Sequence, residues 1–117
     1  MKSLIVEKDG TLSVRDIPIP RYSSKQALVK TISCGICNGT DAKLIHRQFK
    51  GFTPQMYPLM LGHEGVGEIV ELGSEVTSFH TGDKVLLPFV DPDPKIYGGL
   101  QSAWGAFSEY AVVHDLA

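Results

Sequence analysis

The stretch LGHEGVGEIVELGSEV, Leu61 to Val76, decides how the chain is read. It opens on His63-Glu64 between Gly62 and Gly65, runs through an apolar-rich segment and closes on Gly73. Glycines at these points let the backbone bend tightly and approach other groups closely. Imidazole and carboxylate are metal ligands, and Cys37 upstream adds a thiol. Zinc takes Cys sulfur and His nitrogen, and a catalytic site uses three protein ligands with one position left open. Cys37 and His63 are therefore candidate ligands, and Glu64 is either a ligand or an acceptor behind one. Asp41 is a candidate to accept a hydrogen bond from a ligating imidazole and so fix its tautomer. His46, His80 and His114 are read as structural or surface histidines.

Working outward, the composition narrows the function classes. The 117 residues suffice for one domain with a real core. Apolar residues make up 43% and charged residues 21%, ordinary for a globular protein. A formal net charge of -2 gives no electrostatic reason for a nucleic-acid partner. No apolar run approaches the roughly 20 residues of a membrane helix, and no membrane partner is expected. The start, MKSLIVEKDG, lacks the apolar core of a signal peptide, and the protein is read as cytoplasmic. The only cysteines are Cys34 and Cys37, in a C-x-x-C. In a reducing compartment they serve metal binding, redox chemistry or packing.

The elements fall out in order. Leu4 to Val6 and Leu12 to Val14 flank Lys8-Asp9-Gly10 and predict a hairpin. Ile17 to Tyr22 holds two prolines and is expected to leave the sheet. Ala27 to Ser33 reads as a central strand that delivers the chain to Cys34. Thr40 or Asp41 is expected to cap a short helix over Ala42 to Phe49. Gly51 to Leu61 reads as irregular loop. In and beside it, Phe52, Met56, Tyr57 and Met60 either line a pocket or pack, and packing is the preferred reading. Val66 to Leu72, Asp83 to Val90 and Ala106 to Val113 read as strands, Ser74 to Thr81 as a turn-rich connection and Asp91 to Gly99 as loop. Several strands, one or two short helices and long loops predict a β-barrel or sandwich in one domain.

GHEGVGEIVELGSEV resembles the zinc signature of the medium-chain alcohol dehydrogenase family. That pattern is Gly-His-Glu, two residues, Gly, five residues, Gly, two residues and an aliphatic. Here Gly62, His63, Glu64, Gly67, Gly73 and Val76 stand at its fixed positions. CGIC at 34–37, GDKV at 82–85 and GAFSEYAVV at 105–113 also resemble family segments, in the family's order. The resemblance implies a mainly β, GroES-like, partly opened β-barrel over residues 1–117. It implies one catalytic zinc with Cys37, His63 and Glu64 as ligands or near-ligands. It makes Thr40 the hydroxyl that bonds the substrate oxygen and Asp41 the acceptor behind the ligating His. The implied activity is oxidation of an alcohol or polyol with NAD or NADP, the zinc acting as Lewis acid on the substrate oxygen.

The chain departs from the family pattern in four places. Asn38-Gly39 puts Thr40 three residues after Cys37 instead of two. Lys43 stands where the family often has a proton-passing His, with His46 one helical turn on as the substitute. The four-cysteine lobe of a second, structural zinc is missing, and DPDPKIYGGLQSAW fills the region. No G-x-G-x-x-G occurs within a βαβ pattern, since Val70 stands where Gly65-x-Gly67 would need its third glycine. NAD or NADP is therefore expected only in a full-length protein with a Rossmann domain, and the isolated chain is expected to be inactive. Its uncovered surface implies self-association into a homo-oligomer. The competing readings are a stand-alone GroES-like binding or assembly module and a C-x-x-C redox protein.

Overall fold

The structure, a computed structural model, describes residues 1–116. In chain order the strands and helices are β1 (Lys2–Val6), β2 (Leu12–Asp16), β3 (Gln26–Gly35), α1 (Asn38–Ile45), β4 (Leu59–Met60), β5 (Glu64–Leu72), β6 (Lys84–Leu86), α2 (Pro94–Tyr97), β7 (Gln101–Ser102) and β8 (Tyr110–His114). They form two four-stranded sheets, ordered β2-β1-β4-β7 and β6-β5-β3-β8.

The predicted hairpin forms, with Leu4 opposite Val14. At its turn Gly10 takes φ +86, and the Asp9 carboxylate accepts from both the amide and the hydroxyl of Thr11. β3 is the central strand as predicted, antiparallel to β5 on one side and to β8 on the other. The two sheets meet where Leu4 donates its amide to Phe107 O at 2.9 Å and Glu109 donates to Lys2 O at 3.1 Å. There the hydroxyls of Ser3 and Ser108 share a buried hydrogen bond of 2.6 Å. The chain leaving β6 turns back, and Phe89 exchanges two backbone hydrogen bonds with Val112 of β8. The result is the partly opened, mainly β barrel that the resemblance implies.

Alternation within the strands partitions the core. Ile5 and Met60 enter one apolar cluster with Val90, Leu100 and Ala111. Their neighbours Val6, Leu59 and Leu61 enter a second with Leu44 and Tyr57. Successive strand residues point to opposite faces, so adjacent positions serve different clusters. Ala27, Val29, Ile69 and Val113 make a third. Each fully buried large aliphatic side chain contributes roughly 1.5–3 kcal/mol. Leu44, fully buried, holds α1 against the barrel and so fixes the strand-to-helix corner that carries Cys37. Met60 and Tyr57 are buried and Met56 packs against the second cluster, in line with the packing reading, whereas Phe52 both packs there and borders a recess.

Several boundaries differ from expectation. The helix begins at Asn38 instead of Ala42, and it ends at Ile45 because Arg47 takes φ +60. Its cap is Cys37, not Thr40 or Asp41. The expected strand over Asp83 to Val90 is ordered only from Lys84 to Leu86, plus the bridge at Phe89. Leu87 with φ +55, followed by Pro88 without an amide donor, interrupts the ladder. The loop expected over Gly51 to Leu61 contains a 3₁₀ turn, Pro54–Met56, and the two-residue β4. The loop expected over Asp91 to Gly99 contains α2, with Asp93 as its cap and Pro94 at its first position. The last strand begins at Tyr110, not Ala106. Among the described residues no helix is long and apolar enough to cross a membrane.

Candidate metal centre

Cys37 sits where β3 hands over to α1. Its Sγ accepts the Thr40 amide at 3.4 Å, the bond that caps the helix. Asp41 completes the corner from inside the helix, its Oδ2 accepting the Cys37 amide at 2.9 Å. Two amides otherwise left without partners at a helix start are thus satisfied reciprocally, in the manner of a capping box, with a thiol in place of the usual hydroxyl. The Thr40 amide, and after it the Thr40 hydroxyl, hold the Cys37 thiol below its ordinary pKa. This favours thiolate, the form that binds metal.

His63 and Glu64 arrive from the other side, at the start of β5. Gly62 makes the approach possible. It takes φ +109, and a Cβ there would lie 2.4 Å from the Phe107 amide nitrogen. The contact is a working one: Phe107 donates to Leu61 O and Ala106 donates to Gly62 O, both at 2.9 Å. Glu64 pairs with Gly35 across β3 and β5, and its carboxylate lies over Gly35, where a Cβ would stand 3.0 Å from Oε2.

One ligand atom each of Cys37, His63 and Glu64 lies within 4.8 Å of the others. Cys37 and His63 are half-buried and Glu64 is exposed. Behind His63, its Nδ1 faces Asp41 Oδ1 at 3.8 Å. Both atoms are buried, and neither has a hydrogen-bond partner among the described residues. At 3.8 Å they are just beyond hydrogen-bond range, so a small ring movement satisfies both. With Nδ1 turned to the carboxylate, Nε2 is the ring nitrogen left for a ligand. A thiolate, an imidazole and a carboxylate suit zinc, and the buried, unpaired Asp41–His63 contact is the arrangement that orients a ligating imidazole. The residues present fit the metal.

Thr40, expected to bond a substrate oxygen, is turned toward the sulfur of Cys37. Lys43 and His46 are exposed, as are His80 and His114. Cys34 is not one of the three convergent residues. It pairs with Gly65 across the sheet, and burial raises its thiol pKa. Both cysteines are free. Sequence reasoning missed Trp104, whose ring centroid lies 5.4 Å from that of His63. Its position as the sole tryptophan, just ahead of GAFSEYAVV, was the available signal.

Residues 23–116 match the family model described as the alcohol dehydrogenase GroES-like domain. L-threonine 3-dehydrogenase of Streptomyces avermitilis is 41% identical over 88 residues, covering 73% of this chain and 25% of the relative. NADP-dependent isopropanol dehydrogenase of Thermoanaerobacter brockii is 33% identical over 106 residues, covering 76% of this chain and 29% of the relative. Among solved structures, galactitol-1-phosphate dehydrogenase of Escherichia coli superposes with a TM-score of 0.73 at 30% identity, covering 97% of this chain and 36% of that one. The chain thus spans between a quarter and somewhat over a third of the length of these proteins.

Proposed function

The chain belongs to the alcohol dehydrogenase GroES-like domain family, and on that footing we propose that it forms the metal-holding, substrate-binding part of an oxidoreductase. The reaction is oxidation of an alcohol or polyol with NAD or NADP as hydride acceptor. The relatives are named as dehydrogenases, one of them NADP-dependent, which supports the reaction class and the nicotinamide. One zinc is held by Cys37 and His63, with Glu64 as the third donor. The convergence of these three side chains, from two separated segments, is the observation that carries the reading.

When bound, the zinc supplies Lewis acidity toward the alcohol oxygen. The chain's own residues set up the rest. Cys37 presents a thiolate favoured by the Thr40 amide and hydroxyl. Asp41 faces Nδ1 of the His63 ring at 3.8 Å, which leaves Nε2 for the metal. Thr40, whose hydroxyl lies at the Cys37 sulfur, is the group that would take up the alcohol's proton and pass its own to solvent once it turns from the sulfur, since a hydroxyl both accepts and donates. The partner is a small neutral alcohol, and the unpaired cysteines agree with a cytoplasmic setting.

The test uses the polypeptide made from the complete reading frame that carries these residues. Alcohol-dependent reduction of NAD or NADP is expected, and Cys37→Ser is expected to lower kcat/KM by about a thousandfold or more. A Cys37→Ser protein that keeps the wild-type rate overturns the proposal.

A further inference from the structure

Trp104 is the only tryptophan in the sequence, and it stands in an unusual conformation. Its φ is +72, in the left-handed region that bulky residues avoid. Holding a non-glycine residue there costs on the order of 1–3 kcal/mol and persists only where the surroundings over-determine it. The surroundings do so here. Trp104 O accepts the Val90 amide at 2.7 Å, Ala103 donates to Met60 O at 2.8 Å and Ala106 donates to Gly62 O at 2.9 Å. The strained residue is thereby pinned to the backbone that leads into His63.

The ring is not used as core. Trp104 is 42% exposed, although an indole of that size contributes most to stability when fully covered. What it does touch is the metal centre and two further aromatic rings. Its centroid lies 5.4 Å from His63, 6.1 Å from Phe49 and 6.2 Å from Phe52. It also lines a cavity of about 380 Å³ with Phe52, Phe89 and Val90, whose polar members are Ser102 and Asp91. Ser102 Oγ is buried without a hydrogen-bond partner among the described residues, and Asp91 accepts from Gln26 Nε2 at 3.2 Å. None of Cys37, His63 and Glu64 lines this apolar recess; Trp104, which does, is also the ring beside His63 and so borders both.

We propose that Trp104, with Phe49 and Phe52, is the specificity wall of the metal centre, selecting neutral alcohols with an aromatic or branched apolar group on the hydroxyl-bearing carbon. The inference rests on the metal-centre reading above and decides its substrate class. A polyol brings several hydroxyls against aromatic faces, where they lose water without gaining partners, so it binds poorly. A phosphorylated sugar would in addition bring its negative charge toward the Asp91 carboxylate. An aromatic substituent instead gains ring–ring contact and buried area. Trp104 acts here as a positioning residue, through what it packs against the substrate.

The experiment uses the chain loaded with cobalt(II), whose thiolate absorption band reports the metal centre without turnover. Benzyl alcohol and xylitol are titrated separately, and their affinities are read from the change in the cobalt spectrum. The wild-type chain is expected to prefer benzyl alcohol by about tenfold or more, the size of one good aromatic contact with its buried area. Trp104→Ala is expected to remove that preference, while Trp104→Phe keeps it to within about threefold, and both retain the cobalt band. In the wild type, the emission of the sole tryptophan is expected to change with benzyl alcohol and not with xylitol. Equal affinities for the two alcohols in the wild type, or an unchanged preference in Trp104→Ala, overturns the proposal with the metal centre intact. Absence of the cobalt–thiolate band from the wild type overturns the metal-centre reading, and this inference with it.

Discussion

Asp41 Oδ1 stands 3.8 Å from His63 Nδ1, and neither of these buried atoms has a hydrogen-bond partner among the described residues. The other Asp41 oxygen is engaged, accepting the Cys37 amide at 2.9 Å. One carboxylate therefore meets both segments that carry the proposed ligands: it fixes the backbone of one and faces the ring of the other. Asp41→Asn retains an oxygen for the Cys37 amide but loses the charge that favours Nδ1–H on His63. Its expected effect is a 10- to 100-fold loss of zinc affinity by calorimetric titration, the range typical of such supporting partners. An affinity within about twofold of wild type would remove Asp41 from the site.

The two cysteines, three residues apart, are expected to react differently. The Thr40 amide and hydroxyl hold the Cys37 thiol down, whereas burial pushes the Cys34 thiol up. In the metal-free chain near pH 7.5, iodoacetamide is expected to modify Cys37 first, because the thiolate is the nucleophile. Saturating zinc is expected to protect Cys37. Peptide mass spectrometry at short reaction times reads the order directly, and faster labelling of Cys34 would contradict it.

Gly62 is expected to tolerate no side chain. Alanine there meets a left-handed backbone and the Phe107 amide nitrogen at 2.4 Å, a neighbour held in place by its own hydrogen bond to Leu61 O. The combination of strain and overpacking predicts a loss of about 3 kcal/mol or more in urea unfolding. A Gly62→Ala chain of wild-type stability would mean that the bend before His63 is not needed.

Tyr97 gives the fold an alkaline weakness. Burial pushes its phenol up to about 12, and the hydroxyl donates to Pro18 O at 3.0 Å. A group whose folded pKa is raised contributes stability that is complete below its unfolded value near 10 and is lost as pH rises through the folded value. Urea midpoints are therefore expected to fall between about pH 10 and about pH 12. Tyr97→Phe is expected to flatten that fall while lowering stability near pH 7 by about 1 kcal/mol for the lost hydrogen bond. An equal alkaline fall in Tyr97→Phe would assign it to another group.

The parts of this fold that could be read in advance are those whose pattern is local. β3 and β5 announce themselves through β-branched and alternating residues, and β5 buries every second position from Gly65 to Ile69. The hairpin follows from Asp9-Gly10. β4 and β7 could not be read, because two residues carry no period and the strands are defined by pairing, β4 with β1 and β7 with β4. The start of α1 was misplaced because its cap is a thiol, and hydroxyl, Asn and Asp side chains are the expected caps. The three residues that converge at the candidate centre could be named in advance from their ligand types and the spaced glycines around them. One of those glycines, Gly67, lies so close under β3 that a Cβ would stand 2.2 Å from Val29 Cγ1. The nearness of Trp104 to His63 was not legible, since the two are far apart in sequence and are brought together by the backbone bonds of Ala103 to Met60, Ala106 to Gly62 and Phe107 to Leu61.

The most direct test of the account is zinc K-edge X-ray absorption on the chain at saturating zinc. One sulfur at about 2.3 Å and nitrogen or oxygen neighbours near 2.0–2.2 Å are expected, with the sulfur lost in Cys37→Ser and one nitrogen lost in His63→Ala. A wild-type spectrum with no sulfur neighbour, or one unchanged in both variants, would contradict the assignment of Cys37 and His63 as the ligands on which the proposed chemistry depends.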